Sequence, residues 1–274
     1  MRFRRLCLVS LFLLAGCSKE DDGVWLGYAE ADYVYVAAPA AGWVTKLDAE
    51  RGAQIAAGTA LFTLDTDNQT AARDQAEAAI NEAEGQLAAA VSSRDLSAKE
   101  LKRQKALFKS NATTKQLLDQ AQAGFASAEA TVEQIQASLR STRAALANAA
   151  YNLSQRTVVA RASGQVQDIY FRTGEYAAAQ TPVISLLPPK NVYVRFFVPE
   201  GEYAKLKLGL KVKVTCDGCR PIVATVTFIA SAYEYAPPVV FSIKSRDKLV
   251  FKVEARLPGG LPLHPGQPVD VRPL

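Results

Sequence analysis

Histidine is almost absent. The 274-residue chain has one, His264, in the run Leu261-Pro262-Leu263-His264-Pro265. A single imidazole excludes a multi-histidine metal site and most histidine-based acid–base chemistry. Long apolar runs are missing too, since none reaches the roughly 18 residues that a membrane-spanning helix needs. Proline is absent between Pro39 and Pro182, and twelve of the thirteen prolines lie from Pro182 onward. Long helices tolerate no interior proline, so that gap is where they can run. What remains is an ordinary folded composition, 49% hydrophobic and 22% charged, long enough for two or three small domains. It leans toward scaffolding or binding.

Residues 1–17 read as a targeting segment and not as fold. Arg2, Arg4 and Arg5 form a positive start, and residues 6–14 form a short apolar core. Leu14-Ala15-Gly16-Cys17 follows directly and resembles the lipobox of bacterial lipoproteins. That resemblance implies that Cys17 is lipidated, becomes the new N-terminus and holds the chain at a membrane. The alternative is a plain signal peptide with an incidental cysteine. Loss of the three arginines takes the formal charge from +5 to +2, so the basic balance is in part a targeting feature. Export speaks against a nucleic-acid partner and permits disulfides.

Of four cysteines, Cys7 and Cys17 fall in that segment, which leaves Cys216 and Cys219 in Val214-Thr215-Cys216-Asp217-Gly218-Cys219. Three readings stay open: a local disulfide, two free thiols, or redox or metal chemistry. No second such pair and no nearby histidine completes a metal site. Valines alternating before and after the pair read as strands, and Asp217-Gly218 reads as a two-residue hairpin turn. The cysteines would then face each other about 5.5 Å apart at Cα, as a disulfide requires.

Two segments in the proline gap, 67–109 and 114–155, are rich in Ala, Gln, Glu and Lys with helical periodicity. In the second, Leu118, Ala121, Phe125, Ala128, Val132, Ile135, Leu139, Thr142, Leu146, Ala149 and Leu153 keep an unbroken 3,4 spacing. That is a coiled-coil seam. The first carries a weaker seam through Ile80, Ala83, Leu87, Ala90, Arg94, Ser97 and Leu101. Asp65 or Asp67 is the expected cap of the first helix, and Thr113 with Gln116 the expected capping box of the second. Ser110-Asn111-Ala112 is the expected turn. Near-equal arms and a short turn predict an antiparallel hairpin; the competing reading is one interrupted helix paired with another chain.

A repeat brackets these helices. Residues 36–65 and 158–187 align without a gap at an offset of 122, pairing Gly42 with Gly164, Gly52 with Gly174, and Leu61 with Val183. The matched glycines are expected at tight turns between short strands. Each copy is too small to bury a core, so the two are expected to pack on each other. The pattern resembles the two half-motifs of a biotinyl/lipoyl domain. Carriers of that fold place a modified lysine between the halves; no lysine occurs here between Lys46 and Lys99, which argues against a carrier of biotin or lipoate. After Pro188-Pro189, strands are expected at 192–198, 211–215, 223–229 and 248–255, with a short helix between 200 and 208. They predict a small barrel.

The fold class expected is α+β: a long antiparallel α-helical hairpin inserted in a split lipoyl-like β-domain, followed by a small β-barrel domain. The boundaries are 1–17 signal, 18–35 membrane-proximal segment, 36–65 with 157–187 split domain, 66–156 hairpin, 188–256 barrel and 257–274 C-terminal membrane-proximal strand. This order resembles the HlyD-type periplasmic adaptor, or membrane fusion protein, family. The resemblance implies an adaptor that links an inner-membrane exporter to a TolC-type outer-membrane channel. It also implies a homo-oligomeric, hexameric ring and a periplasmic site with the lipid anchor in the inner membrane. Tyr233-Glu234-Tyr235-Ala236-Pro237-Pro238 and 246–251 resemble the adaptors that partner ABC-type exporters. The alternative is a coiled-coil envelope lipoprotein with a structural or assembly role.

The family carries an Arg-x3-Leu-x6-Ser pattern at the hairpin tip for docking to the outer channel. Arg103, Leu107 and Thr114 match its spacing, with Thr in place of Ser. The competing reading puts Leu107 in the seam and Arg103 in solvent. Residues 99–115 hold six basic side chains against one acid, Glu100. Such a run is a solvated face, or a source of steering toward an acidic channel mouth.

Overall fold

The computed structural model describes residues 23–235 and 249–274. The N-terminal signal with Cys17, and residues 236–248 of the segment that resembles ABC-associated adaptors, lie outside the described residues. In chain order the elements are β1 (Trp25–Ala31), β2 (Val34–Ala37), β3 (Gly42–Leu47), β4 (Gln54–Ile55), β5 (Ala60–Leu64), α1 (Asp67–Lys109), α2 (Lys115–Ser154), β6 (Thr157–Val159), β7 (Gly164–Ile169), β8 (Tyr176–Ala177), β9 (Pro182–Leu187), β10 (Val192–Pro199), β11 (Lys211–Thr215), β12 (Ile222–Tyr235), β13 (Leu249–Arg256) and β14 (Pro268–Pro273). They form two units, one of residues 33–188 and one of residues up to 32 with 189–274.

The first unit holds the repeat and the hairpin. Its strands make two four-stranded sheets, β2-β9-β7-β4 and β6-β5-β3-β8. The offset of 122 maps one sheet onto the other, strand for strand. Each sheet is built from both halves, because β4 of the first copy pairs with β7 of the second, and β8 of the second with β3 of the first. Backbone bonds follow the same symmetry. Gly52 N–H donates to Val166 C=O and Gly174 N–H to Val44 C=O, both at 2.8 Å. Gly58 N–H donates to Ala160 C=O at 2.7 Å and Gln180 N–H to Ala38 C=O at 2.8 Å. One core lies between the sheets, with Val44, Leu61, Phe62 and Leu64 from one and Val166, Val183, Ile184 and Leu186 from the other.

The repeat glycines do two different jobs. Gly52 and Gly174 have φ of +87° and +92°, the turn geometry that glycine permits. Gly42 and Gly164 are not turn residues: each starts a strand. A Cβ at Gly164 would sit 2.7 Å from the Leu187 carbonyl carbon and oxygen, and one at Gly42 would sit 2.3 Å from Asp65 Oδ1 and 2.7 Å from Arg156 Nη1. Close approach, not conformation, demands glycine there.

The hairpin follows its periodicity. Every α2 residue named in the seam is buried or half-buried, and the rest of α2 is exposed. In α1 the same spacing runs from Gln69 through Ala83, Ala90 and Leu101 to Gln104. The arms are 43 and 40 residues, about 65 and 60 Å at 1.5 Å per residue. Both expected caps move. Thr66 holds the N-cap position of α1 with no side-chain bond. Asp65 is committed elsewhere, its Oδ1 accepting from Trp43 N–H at 2.7 Å; Asp67 sits in the first turn, where its charge suits the helix dipole. At α2 the cap is Thr114, whose extended backbone lets Oγ1 accept from Leu117 N–H at 3.3 Å. Thr113 instead donates to Gln104 Oε1 at 2.9 Å.

In the second unit β1-β10-β13-β12-β11-β14 close a barrel, with every neighbouring pair antiparallel. The barrel is therefore wider in sequence than 188–256. The expected membrane-proximal pieces contribute β1 and β14, which pair with Trp25 opposite Val271. A barrel of only the internal strands would leave two open edges; the terminal strands close them. Inside, Trp25 stacks on Phe196 at 5.6 Å. On the other face of β10, Arg195 pairs with Glu30 at 2.5 Å and Glu254 at 2.9 Å. Burial, followed by the charges of Glu254 and Glu30, pushes the Tyr193 hydroxyl up to about 12.

Cys216 and Cys219 are bonded, with Cα atoms 5.3 Å apart. They do not sit on paired strands, because β11 and β12 stop pairing at Val214 and Ile222. The bridge closes a turn inside a longer loop. Cys219 N–H donates to Cys216 C=O at 3.2 Å, and Gly218, but not Asp217, has positive φ. That pattern excludes the hairpin turn of type I′ and matches type II.

Two predictions test this packing. Gly164→Ala should cost about 1–3 kcal/mol, because the new methyl meets backbone. Gly85→Ala, in open space on α1, should instead gain about 1 kcal/mol; denaturant unfolding of both variants measures the contrast. Replacing both bridged cysteines by serine should cost at most about 2 kcal/mol, since the loop is very short. Calorimetry with and without reductant gives that difference.

Candidate functional site: the hairpin tip

The tip is made by a helix C-terminus, a tight turn and a helix N-terminus. At the end of α1, Ala112 N–H donates to Leu107 C=O at 2.9 Å and Asn111 N–H to Phe108 C=O at 3.1 Å. Asn111 takes a φ of +56° between them. This is a Schellman closure with asparagine at the left-handed position. It reverses the chain tightly, so that Thr114 can start α2 five residues after α1 ends.

Arg103 and Leu107 lie one turn apart on α1. The seam passes through Leu101 and Gln104, each of which is a neighbour of Arg103 but faces α2. Leu107 is thus off the seam and 36% exposed. Arg103 is exposed and pairs with Glu100 on its own helix. Leu96, 70% exposed, extends the same stripe toward the base. Thr114 is across the turn, but its hydroxyl oxygen already accepts as the cap of α2. Only its proton and its second lone pair are left for a partner. The stripe therefore offers one cation and one apolar knob more freely than it offers a hydroxyl.

Two residues were not singled out from the sequence. Phe108, 40% exposed, continues the α1 spacing beyond Leu101 and Gln104, past the point where α2 can cover it. Leu117, 47% exposed, stands beside the seam residue Leu118, and only one of two adjacent leucines can face α1. Both signals were present in the spacing. Together Leu107, Phe108 and Leu117 put three exposed apolar side chains at the tip.

Among the described residues no cluster of His, Cys, Asp or Glu is assembled to hold a metal. No helix among them is long and apolar enough to cross a membrane.

Residues 79–156, most of the hairpin, match the family model described as RND MFP, alpha-helical hairpin domain. The structure is similar to MacA from Actinobacillus actinomycetemcomitans with a TM-score of 0.75, at 20% identity, over 91% of this chain and 77% of that one. The chain has the membrane fusion protein, or periplasmic adaptor, fold. The membrane fusion protein Spr0693 from Streptococcus pneumoniae R6 matches at TM-score 0.61 and 18% identity, over 92% and 98% of the two chains. In sequence, the chain is 28% identical over 172 residues to a membrane protein in the asrC 5′ region of Acidithiobacillus ferridurans. That match spans 55% of this chain and about half, 51%, of the relative. The exposed tip residues of this membrane fusion fold lie within the matched hairpin.

Leu107→Asp should leave helicity and thermal stability nearly unchanged, because the position is outside the seam. Leu139→Asp, at a site only 5% exposed, should destabilise the hairpin by 3 kcal/mol or more, the order of a buried unpaired charge. Circular dichroism melts of the two variants separate a surface residue from a core one.

Proposed function

We propose that the protein is a non-enzymatic periplasmic adaptor. It links an inner-membrane exporter to a TolC-type outer-membrane channel and works as a homo-oligomeric, hexameric ring. The observation that carries this reading is the tip: a hairpin of about 60 Å ends in an exposed Arg103–Leu107 stripe that its own seam does not use. A leucine left in water there costs the fold little. Full burial against a partner helix contributes roughly 1.5–3 kcal/mol per tip, and a ring of tips multiplies that into stable docking. The membrane fusion fold supports the same role; the lipobox supports a lipid anchor at Cys17, and the adaptor role favours the inner membrane for it.

Two exporter classes compete. The resemblance around Tyr233 and 246–251 favours an ABC-type exporter. The match of the hairpin to a model described for RND adaptors favours an RND-type pump. Co-purification of the intact chain with each exporter class separates them.

Cys17→Ala should move the protein from the membrane to the soluble periplasmic fraction. A variant that still sediments with membranes and matures normally rejects the anchor. Leu107→Asp should abolish capture of the outer channel and export, while capture of the inner-membrane exporter persists. Normal export with Leu107→Asp rejects the docking role.

A further inference from the structure

The opposite flank of the tip carries a second feature. Lys102, Lys105 and Lys109 each sit one residue after a position of the α1 seam spacing, whereas Arg103 and Leu107 sit one before. At 100° per residue the two sets lie on opposite sides of the helix. The three lysines, with Leu101, Ala98, Ala106 and Phe125 of α2, line a groove of about 530 Å³. Leu101 is buried, Phe125 and Ala98 are half-buried, and the lysines are exposed. No carboxylate lines the groove, and the one acid of residues 99–115, Glu100, is held by Arg103 on the other flank. The result is an apolar floor beneath a row of exposed ammonium groups.

We propose that this groove receives an acidic amphipathic helix of a partner protein, so that the tip is gripped on both flanks. The proposal rests on the docking role of the tip and adds a second partner helix to it. The lysines recur every three and four residues, one per helical turn. A helix laid along them with carboxylates at the same spacing pairs with each in turn. Its small or apolar face then covers Leu101 and Phe125, as a third helix fills the groove between two others. The closely spaced positive charges repel each other in the free protein, and an acidic partner relieves that repulsion.

The test uses the full-length protein and a labelled alanine-rich peptide of about 15 residues, long enough to be helical. It carries Glu at i, i+3 and i+7 beside two Leu. A scrambled peptide of the same composition is the control. Anisotropy should show the ordered peptide binding at least about tenfold more tightly than the scramble, with affinity falling as salt rises from about 0.1 to about 0.5 M. Ala106→Phe fills the groove at an exposed helical position, and Lys105→Glu with Lys109→Glu reverses its rim. Either should abolish the preference while the circular dichroism spectrum stays unchanged. Equal binding of the scramble, or full binding by Ala106→Phe, overturns the proposal. So does binding to anionic phospholipid vesicles, or a self-association of the chain, that Ala106→Phe removes in place of peptide binding. Export distinguishes the two levels. Loss with Leu107→Asp but not with Ala106→Phe or the lysine pair rejects the groove and keeps the adaptor. Retained export with all of them, alongside selective peptide binding, keeps the groove and rejects the adaptor.

Discussion

Everything in the first unit depends on the exchange of strands between the two halves of the repeat. Neither half closes a sheet alone. β3 needs β8, and β7 needs β4, while Gly52 and Gly174 donate reciprocally to Val166 and Val44. The core is shared in the same way, with Phe62 from one half set among Ile184 and Leu186 from the other. The 92 residues from 66 to 157 that separate the halves in sequence must therefore return to their starting point. An antiparallel hairpin does this at any length, because its two ends stay together however far its tip extends. The loop-closure cost of so long an insertion is met by helical pairing along the arms.

That arrangement frees the tip from the demands of the core. Between base and tip the seam fixes which residues touch. At the far end the seam runs out, and Leu107, Phe108 and Leu117 are left exposed. The same helix carries the Arg103–Leu107 stripe on one flank and the lysine-rimmed groove on the other, because one-residue displacements from a 3,4 spacing select opposite sides of a helix. The junction at the base is held differently. Arg156, almost fully buried directly after α2, donates to Ala41 C=O at 2.8 Å, and its own carbonyl accepts from Leu64 N–H at 2.8 Å. This buried arginine ties the return of the hairpin to the strands that flank its departure.

The barrel solves another problem of small β-domains, that of exposed edges. Its terminal strands come from the two ends of the described chain, so the edges of the internal strands are covered without added length. The Cys216–Cys219 bridge belongs to this unit and locks a turn rather than a pair of strands. Its sulfur also accepts a hydrogen bond from Gln267 Nε2 at 3.2 Å, just before β14 begins. The turn is thereby tied to the strand that closes the barrel.

The sequence by itself determined the elements whose signal is periodic or repeated. The α2 seam was readable to the residue, since a 3,4 spacing over forty residues has one helical solution. The gapless offset of 122 located two equivalent β-units for the same reason. The place of Leu107, in the seam or on the surface, stayed open in the sequence; the structure puts it one residue off the α1 spacing and exposed. Tertiary structure decided whatever depends on partners distant in the chain. Asp65 looked like a helix cap but is taken by Trp43 N–H, and the cap of α2 shifted from Thr113 to Thr114 because Gln104 engages Thr113. Gly42 and Gly164 looked like turn glycines, yet what they avoid is Asp65 and Arg156 in one case and Leu187 in the other. The barrel's closure by β1 and β14 was hidden as well, because strand pairing is a contact between segments some 240 residues apart, and no local pattern records which edge a strand will find.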